Sequence, residues 1–166
     1  MKIYLGTDHA GFALKECLKP YLEELGHEVV DIGAHTLAQS DDYTDYVAPV
    51  AKKVSEANSL DFRGVILGGS GQGEAMLANR YLNVRATVYY GGPLEIVRVG
   101  REHNDSNVLS LGARFLDEKE ARQALDIWLA EPFSENPKYR ARIDEAEALT
   151  VTHTDPTCAG RICKPL

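Results

Sequence analysis

No apolar run in this 166-residue chain approaches the roughly 20 consecutive residues that a membrane-spanning helix requires, so no transmembrane helix is expected. The first residues, MKIYLGTDHAG, break into glycine and charge after five positions. They lack the apolar core of a secretory signal and read instead as a first strand. Cysteine is scarce and scattered: Cys17 falls in a helical pattern, Cys158 and Cys163 among the last residues. The odd set has no metal-ligand spacing and reads as reduced thiols. The histidines show no i,i+4 or HxH pairing, and His27, His35 and His153 fall in turn, loop or tail contexts, so no metal is expected. Positive charge is the minority sign, 18 Lys and Arg against 25 Asp and Glu, and the net charge of −7 argues against nucleic acid as a partner. No internal repeat or low-complexity segment is evident. These absences point to a cytoplasmic globular protein without nucleic-acid or membrane partners, in which any anionic substrate is held by a few local cations.

What is present is alternation. With 44% hydrophobic and 26% charged residues, the chain suits one domain with its own core, expected over residues 1–149. Short β-prone runs at 2–6, 27–32, 64–67, 85–90 and 108–111 are each followed by a helical pattern, at 10–25, 43–57, 75–81, 94–102 and 117–130. Gly26 stops the first helix, and residues 33–42 form a polar loop. Five βα units in regular alternation imply an α/β fold: a Rossmann-like three-layer α/β/α sandwich around a five-stranded parallel sheet. A last helix is expected at 136–149. Residues 150–166 carry Pro156, Gly160 and Pro165, lack periodicity, and read as a tail that is poorly ordered or draped on a partner subunit.

In such sheets ligands gather at the C-terminal strand ends, where Thr7–His9, residues 68–74, Tyr90–Gly91 and residues 112–114 fall. The centre of the chain is GVILGGSGQGEAMLAN at 64–79, a strand, four glycines within six residues, then a helix. Gly68, Gly69, Gly71 and Gly73 can take positive φ and turn their amides toward an oxyanion. GGSGQGE lacks the third glycine of GxGxxG and the GK[ST] of a P-loop, so a nucleotide is not expected, and Asp31 at the second strand end reads as a strand-end acid. Glu74 is open to two readings, a reactive carboxylate or a helix N-terminal glutamate favoured by the dipole. Asp8 and His9 are either acid–base groups or part of a helix cap. His103 stands near a helix end, and with Tyr43 these residues offer acid–base groups at one edge of the sheet. Lys138 and Arg142, i,i+4 on the last helix, could join Arg114 in clamping a phosphate, or could be solvated partners of Asp144 and Glu145. Arg140 breaks that face.

The motifs GTDHAGFALK at 6–15, DDYTDY at 41–46, LGGSGQGEAMLANR at 67–80, REHNDSNVLSLGAR at 101–114 and RARIDEAE at 140–147 are similar to those of the ribose-5-phosphate isomerase type B and galactose-6-phosphate isomerase family. The resemblance implies a metal-independent aldose–ketose isomerase without a cofactor, acting on a sugar phosphate. It implies ring opening around Asp8, His9 and His103, with His103 passing a proton to the ring oxygen. A cis-enediolate would be held by the backbone of Gly69, Gly71, Gln72 and Gly73 and by the Ser70 hydroxyl. One branch of the family uses a cysteine at the position of Gly68 as carbon base, the other a glutamate at that of Glu74. This sequence resembles the glutamate branch, so none of its cysteines is expected to be catalytic. Arg114, Lys138 and Arg142 fall on phosphate-binding positions, with Lys138 where an arginine is expected. Family members are dimers or dimers of dimers with interfacial sites, which implies that His103, Asn104 and Arg114 serve a neighbour's Glu74. The expected substrate is ribose 5-phosphate; a six-carbon phosphate such as galactose or allose 6-phosphate is the alternative, and a non-catalytic sugar-phosphate sensor a further one.

Overall fold

A computed structural model describes the backbone of residues 1–37, 40–57 and 59–152 and the side chains up to 149. His153, Cys158, Cys163 and most of the expected tail lie outside the described residues. The chain runs β1 (Lys2–Thr7), α1 (Phe12–Glu24), β2 (Glu28–Asp31), α2 (Tyr43–Ala57), β3 (Phe62–Gly68), α3 (Gln72–Ala78), β4 (Ala86–Tyr89), α4 (Glu95–Asn104), β5 (Val108–Gly112), α5 (Glu118–Ala130) and α6 (Pro137–Thr152). The five strands form one parallel sheet in the order β2-β1-β3-β5-β4. No helix among the described residues is long and apolar enough to cross a membrane.

Period-two alternation divides the core. Ile3 and Leu5, Val65 and Leu67, and Leu109 and Leu111 point to one face, where Leu18 and Leu22 of α1, Val97 of α4 and Leu125 and Trp128 of α5 meet them. Ile66 and Val108 point to the other face, under Val47, Val50 and Val54 of α2 and Ala78 of α3. Three layers result. Trp128 is fully buried, and its indole N–H donates to Ser106 Oγ at 2.8 Å, so the largest side chain enters the core without an orphaned donor.

Helix ends differ from the pattern-based ranges for local reasons. α1 begins at Phe12 because the Asp8 carboxylate accepts the Ala10 N–H at 2.9 Å, which holds residues 8–11 in a turn. α3 ends at Ala78 because the Asn79 side chain donates to Ala86 O at 3.0 Å and accepts from Ala86 N at 2.7 Å, tying the chain to β4. α6 continues to Thr152, three residues into the segment expected as tail. Asp31 is more than a strand-end acid. Its carboxylate accepts from Lys15 Nζ at 2.7 Å, and Lys15 is wholly buried, so the pair fastens α1 to β2. Burial opposes both charges, yet the contact holds Asp31 below the usual carboxylate range and Lys15 above the usual lysine range.

Candidate active site

The sheet order reverses between β1 and β3, so the crevice at their C-terminal ends is the topological switch point. Asp8 follows β1, the glycine loop follows β3, and Arg114 follows β5 beside it. Thr7 Oγ1 donates to Leu67 O at 2.9 Å, and Ser110 Oγ of β5 donates to Gly71 O at 2.6 Å, so both flanks of the crevice are cross-tied.

Glu74 lies in the first turn of α3, but its side chain is not a solvated helix-start carboxylate: it is 6% exposed and folds back over the end of β3. A Cβ at Gly68 would overlap its Oε1 and carboxyl carbon, so the missing side chain at Gly68 is the space that the carboxylate fills. Burial raises the proton affinity of Glu74, the hydrogen bond from its own backbone amide opposes that, and the nearby Asp8 charge adds to the rise. Burial thus outweighs the pull of the helix N-terminus. The four loop glycines, each able to take positive φ, use their missing side chains differently. Only Gly71 takes positive φ, at 75°. Gly69 and Gly73 are instead sites of close approach, where an added Cβ would lie 3.2 Å from Arg114 Cζ and 3.4 Å from the Tyr43 hydroxyl. Ser70 Oγ sits 3.4 Å from the Gln72 amide that donates to it, at the mouth of the turn.

Asp8 and His9 are neither a simple helix cap nor incidental. Asp8 is 7% exposed, and the His9 ring Nδ1 lies 2.6 Å from Asp41 Oδ1 and 3.7 Å from Asp8 Oδ2. Asp41 Oδ1 also accepts the His9 amide N–H at 3.1 Å. Burial pushes the Asp41 carboxyl up, but these two bonds and Tyr46 outweigh it and hold it below its ordinary range. An ionised Asp41 keeps the proton of neutral His9 on Nδ1, which leaves Nε2 as the acceptor. Asp41 stands in the DDYTDY motif but is not among the site residues expected from the sequence. A doublet of acids in a polar loop carries no signal that one of them closes on a histidine 32 residues away. Among the described residues, Asp8, His9 and Asp41 are also the group that could approach a metal ion, their ligand atoms lying within 4.8 Å of one another. A cation would have to displace the His9–Asp41 bond.

The other predicted residues are elsewhere. α4 returns from the end of β4 to the start of β5, so His103 and Asn104 stand at the N-terminal end of the sheet. The length of β5, roughly 13 Å at 3.3 Å per residue, separates that end from Gly68 and Gly112. His103 therefore does not share an edge with Asp8, His9 and Tyr43. Its ring stacks on Tyr139 of α6 at 4.3 Å between centroids. Asn104 and Arg142 line a cavity of about 650 Å³ with Tyr81, Val84 and Ile143. Arg114 departs from its expected grouping: its guanidinium lies against Gly69 of its own chain, not with Lys138 and Arg142 on α6. All three cations are exposed, and among the described residues none makes an ion pair, Asp144 and Glu145 included. The chain thus carries two half-sites: Asp8, His9, Tyr43, Ser70, Glu74 and Arg114 at one end of the sheet, and His103, Asn104, Lys138 and Arg142 at the other.

Comparison with known proteins agrees with this architecture. Residues 3–146 match the model of the Ribose/Galactose Isomerase family. The chain is 34% identical over 163 residues to ribose-5-phosphate isomerase B of Mycolicibacterium paratuberculosis, a match covering 98% of this chain and 99% of that protein. In three dimensions it is similar to ribose-5-phosphate isomerase B of Clostridium thermocellum, with a TM-score of 0.85 and 32% identity over 93% of this chain and 100% of that one. It is similar also to the Mycoplasma genitalium enzyme solved with bound ribulose-5-phosphate, with a TM-score of 0.84 and 30% identity over 89% and 95% of the two chains. Since the matches span the sheet and both half-sites, the chain belongs to the ribose/galactose isomerase family.

Proposed function

We propose that this protein is a ribose-5-phosphate isomerase of type B, interconverting ribose 5-phosphate and ribulose 5-phosphate through a cis-enediolate without a metal, in the pentose phosphate metabolism of the cytoplasm. The observation that carries the reading is Glu74: a buried carboxylate of raised proton affinity, seated in the space left by Gly68 at the head of the glycine turn. A base of this kind is suited to removing the weakly acidic proton on C2, because burial raises its basicity toward the operating pH. The names of the relatives, and the ribulose-5-phosphate held by the Mycoplasma genitalium enzyme, support the five-carbon substrate.

In the proposed sequence the furanose ring opens first, with Asp8 receiving the proton of the anomeric hydroxyl and His103 donating one to the ring oxygen. His9, oriented by Asp41, positions the sugar hydroxyls beside Tyr43. Glu74 then takes the C2 proton, the electron pair moves toward O1, and the developing oxyanion is met by the amides of residues 69–73 and by Ser70. Return of that proton to C1, with transfer between the two oxygens, completes the ketose. The phosphate is held by Arg114, Lys138 and Arg142.

Because His103, Asn104, Lys138 and Arg142 stand at the far end of the sheet from Glu74, a complete site requires a second subunit: a homodimer or a dimer of dimers, each half-site facing its complement. The test is incubation with ribose 5-phosphate, and separately with six-carbon phosphates, in deuterated water. Isomerisation with deuterium appearing at the exchanging carbon is expected for the five-carbon sugar. Glu74→Gln should reduce turnover about 10²-fold or more. Absence of turnover and of exchange on every sugar phosphate would overturn the reading.

A further inference from the structure

The N-terminal end of the sheet holds a charge that the isomerase reading leaves unused. Arg63, at the second position of β3, is 7% exposed. Its Nη1 donates to the carbonyl oxygens of Leu60 and Phe62 at 3.0 and 3.1 Å. Its Nε and Nη2 meet no acceptor among the described residues, and no carboxylate among them lies within ion-pair distance.

The acids nearby are engaged elsewhere or exposed to solvent, Asp61 being an exposed one whose charge still acts on Arg63. Asp105 Oδ1 accepts from Arg101 at 2.9 Å and Oδ2 from Arg85 at 3.0 Å, with Arg140 a further cation at 3.9 Å. Glu131 faces Arg98 at 3.6 Å, Glu147 accepts from Arg85 at 2.6 Å, and Glu135 is exposed. Arg63 is therefore a buried cation that forms no ion pair among the described residues. Burial first, then the neighbouring Arg101 charge, pull its proton affinity down to about 10, with Arg85 adding to the fall and Asp105 and Asp61 opposing it. A buried charge left in this state is costly, and an anion that pairs with it is correspondingly favoured.

Beside Arg63 opens a cavity of about 360 Å³ whose wall carries three arginines, Arg63, Arg101 and Arg140, and three acids, Asp105, Glu131 and Glu135. Arg140 is the residue that falls off the Lys138–Arg142 face of α6. Its guanidinium rests over the Phe133 ring at 4.6 Å, and its half-exposed side chain stands at the rim. α6 thus contributes to two cavities, with Arg142 in the larger one and Arg140 in this one.

We propose that this cavity is a second, non-catalytic binding site for a phosphate group, free or as a small phosphate ester, held between the guanidinium groups of Arg63 and Arg140 with Arg101 behind them. The forked N–H donors of arginine match phosphate oxygens two at a time. The dianion supplies the ion-pair contact that Arg63 lacks and links the start of β3 to α6. Arg101 and Asp105 belong to the last turn and cap of α4, so the occupied site braces the segment that carries His103 and Asn104.

The test uses the full chain and no measurement of turnover, so its outcome is independent of the isomerase reading. In a Lys138→Ala/Arg142→Ala background, which removes two of the proposed substrate-phosphate cations, inorganic phosphate and glycerol phosphate are titrated separately by calorimetry and by the shift in melting temperature. Both are expected to bind and stabilise. Adding Arg63→Gln should weaken binding about tenfold or more, and Arg140→Gln, at the exposed rim and so harmless to folding, severalfold. Tighter binding of inorganic phosphate would identify the free ion as the occupant, tighter binding of the ester a phosphorylated metabolite. A background protein that binds neither ion, or an Arg140→Gln protein that binds both unchanged, overturns the proposal, even if Arg63→Gln fails to fold.

Discussion

Alanine at position 68 adds one carbon to a chain of 166 residues, and that carbon lands on the Glu74 carboxylate, the proposed base. An ideal Cβ there would stand 2.7 Å from Glu74 Oε2, with Oε1 and the carboxyl carbon nearer still, whereas ordinary van der Waals contact begins at 3.4 Å. The carboxylate must withdraw by roughly 1 Å or more, a misplacement that costs on the order of 10²-fold in rate for a proton transfer of fixed geometry. Gly68 does not occupy positive φ, so the backbone accepts alanine without strain, and overpacking costs about 1–3 kcal/mol of stability at most. Gly68→Ala is therefore expected to fold and to isomerise about as slowly as Glu74→Gln. The assay is kcat on ribose 5-phosphate with deuterium uptake from solvent, alongside urea unfolding. Because both substitutions disable one group, the double variant should be scarcely slower than either alone. A Gly68→Ala protein within about threefold of wild-type kcat, or a double variant showing the product of the two losses, would refute the argument that Gly68 is the seat of Glu74.

Glu74 has a raised folded-state pKa, against an ordinary value of 4.5, so its buried charge costs stability above both values, and the cost vanishes below the ordinary one. Glu74→Gln should melt higher than wild type at pH 7, with the gain shrinking toward pH 4, and the acid limb of wild-type kcat should fall above the ordinary glutamate range. Equal melting at both pH values would contradict this. Equal mixing of inactive Glu74→Gln and His103→Ala proteins, unfolded and refolded together, should restore about a quarter of wild-type activity, since half the dimers are mixed and each holds one intact site; no recovery would mean that the half-sites are not shared between subunits. Lys15→Met should cost roughly 3–5 kcal/mol in urea unfolding, because Asp31 keeps only Lys19, at 3.5 Å, as a cationic partner. Adding Asp31→Leu should recover much of that loss. Cys17→Ala should leave turnover near the wild-type value, and a large loss would return a cysteine to the list of candidate bases.

The architecture was legible because βα alternation leaves few alternatives. Apolar runs such as GVIL, each followed by a helical stripe, fit buried parallel strands with crossover helices, and the sheet has five parallel strands as the pattern predicts. Strand order was not legible, since the placement of β5 between β3 and β4 depends on helix packing at a distance. The motifs carrying the family resemblance named both half-sites, but sequence spacing could not show that His103 lies a strand length away from Asp8. A position on a helix does not reveal which end of the sheet the helix reaches. Asp41 and Arg63 escaped notice for a related reason. An acid in a polar loop and an arginine at a strand start look like surface residues until the Asp41–His9 bond and the burial of Arg63 are seen.

The sequence by itself determined the class of fold, the glycine loop with glycine at 68 and glutamate at 74, and the family, because each rests on local periodicity or on residue identity within a contiguous motif. The tertiary structure decided what those residues are to one another. It buried Glu74 in the gap at Gly68, set the ionised Asp41 against His9, sent Arg114 to its own chain's loop and His103 to the opposite end of the sheet. Proton affinity and proximity depend on water exclusion and on neighbours brought from distant segments, which are properties of the packed chain.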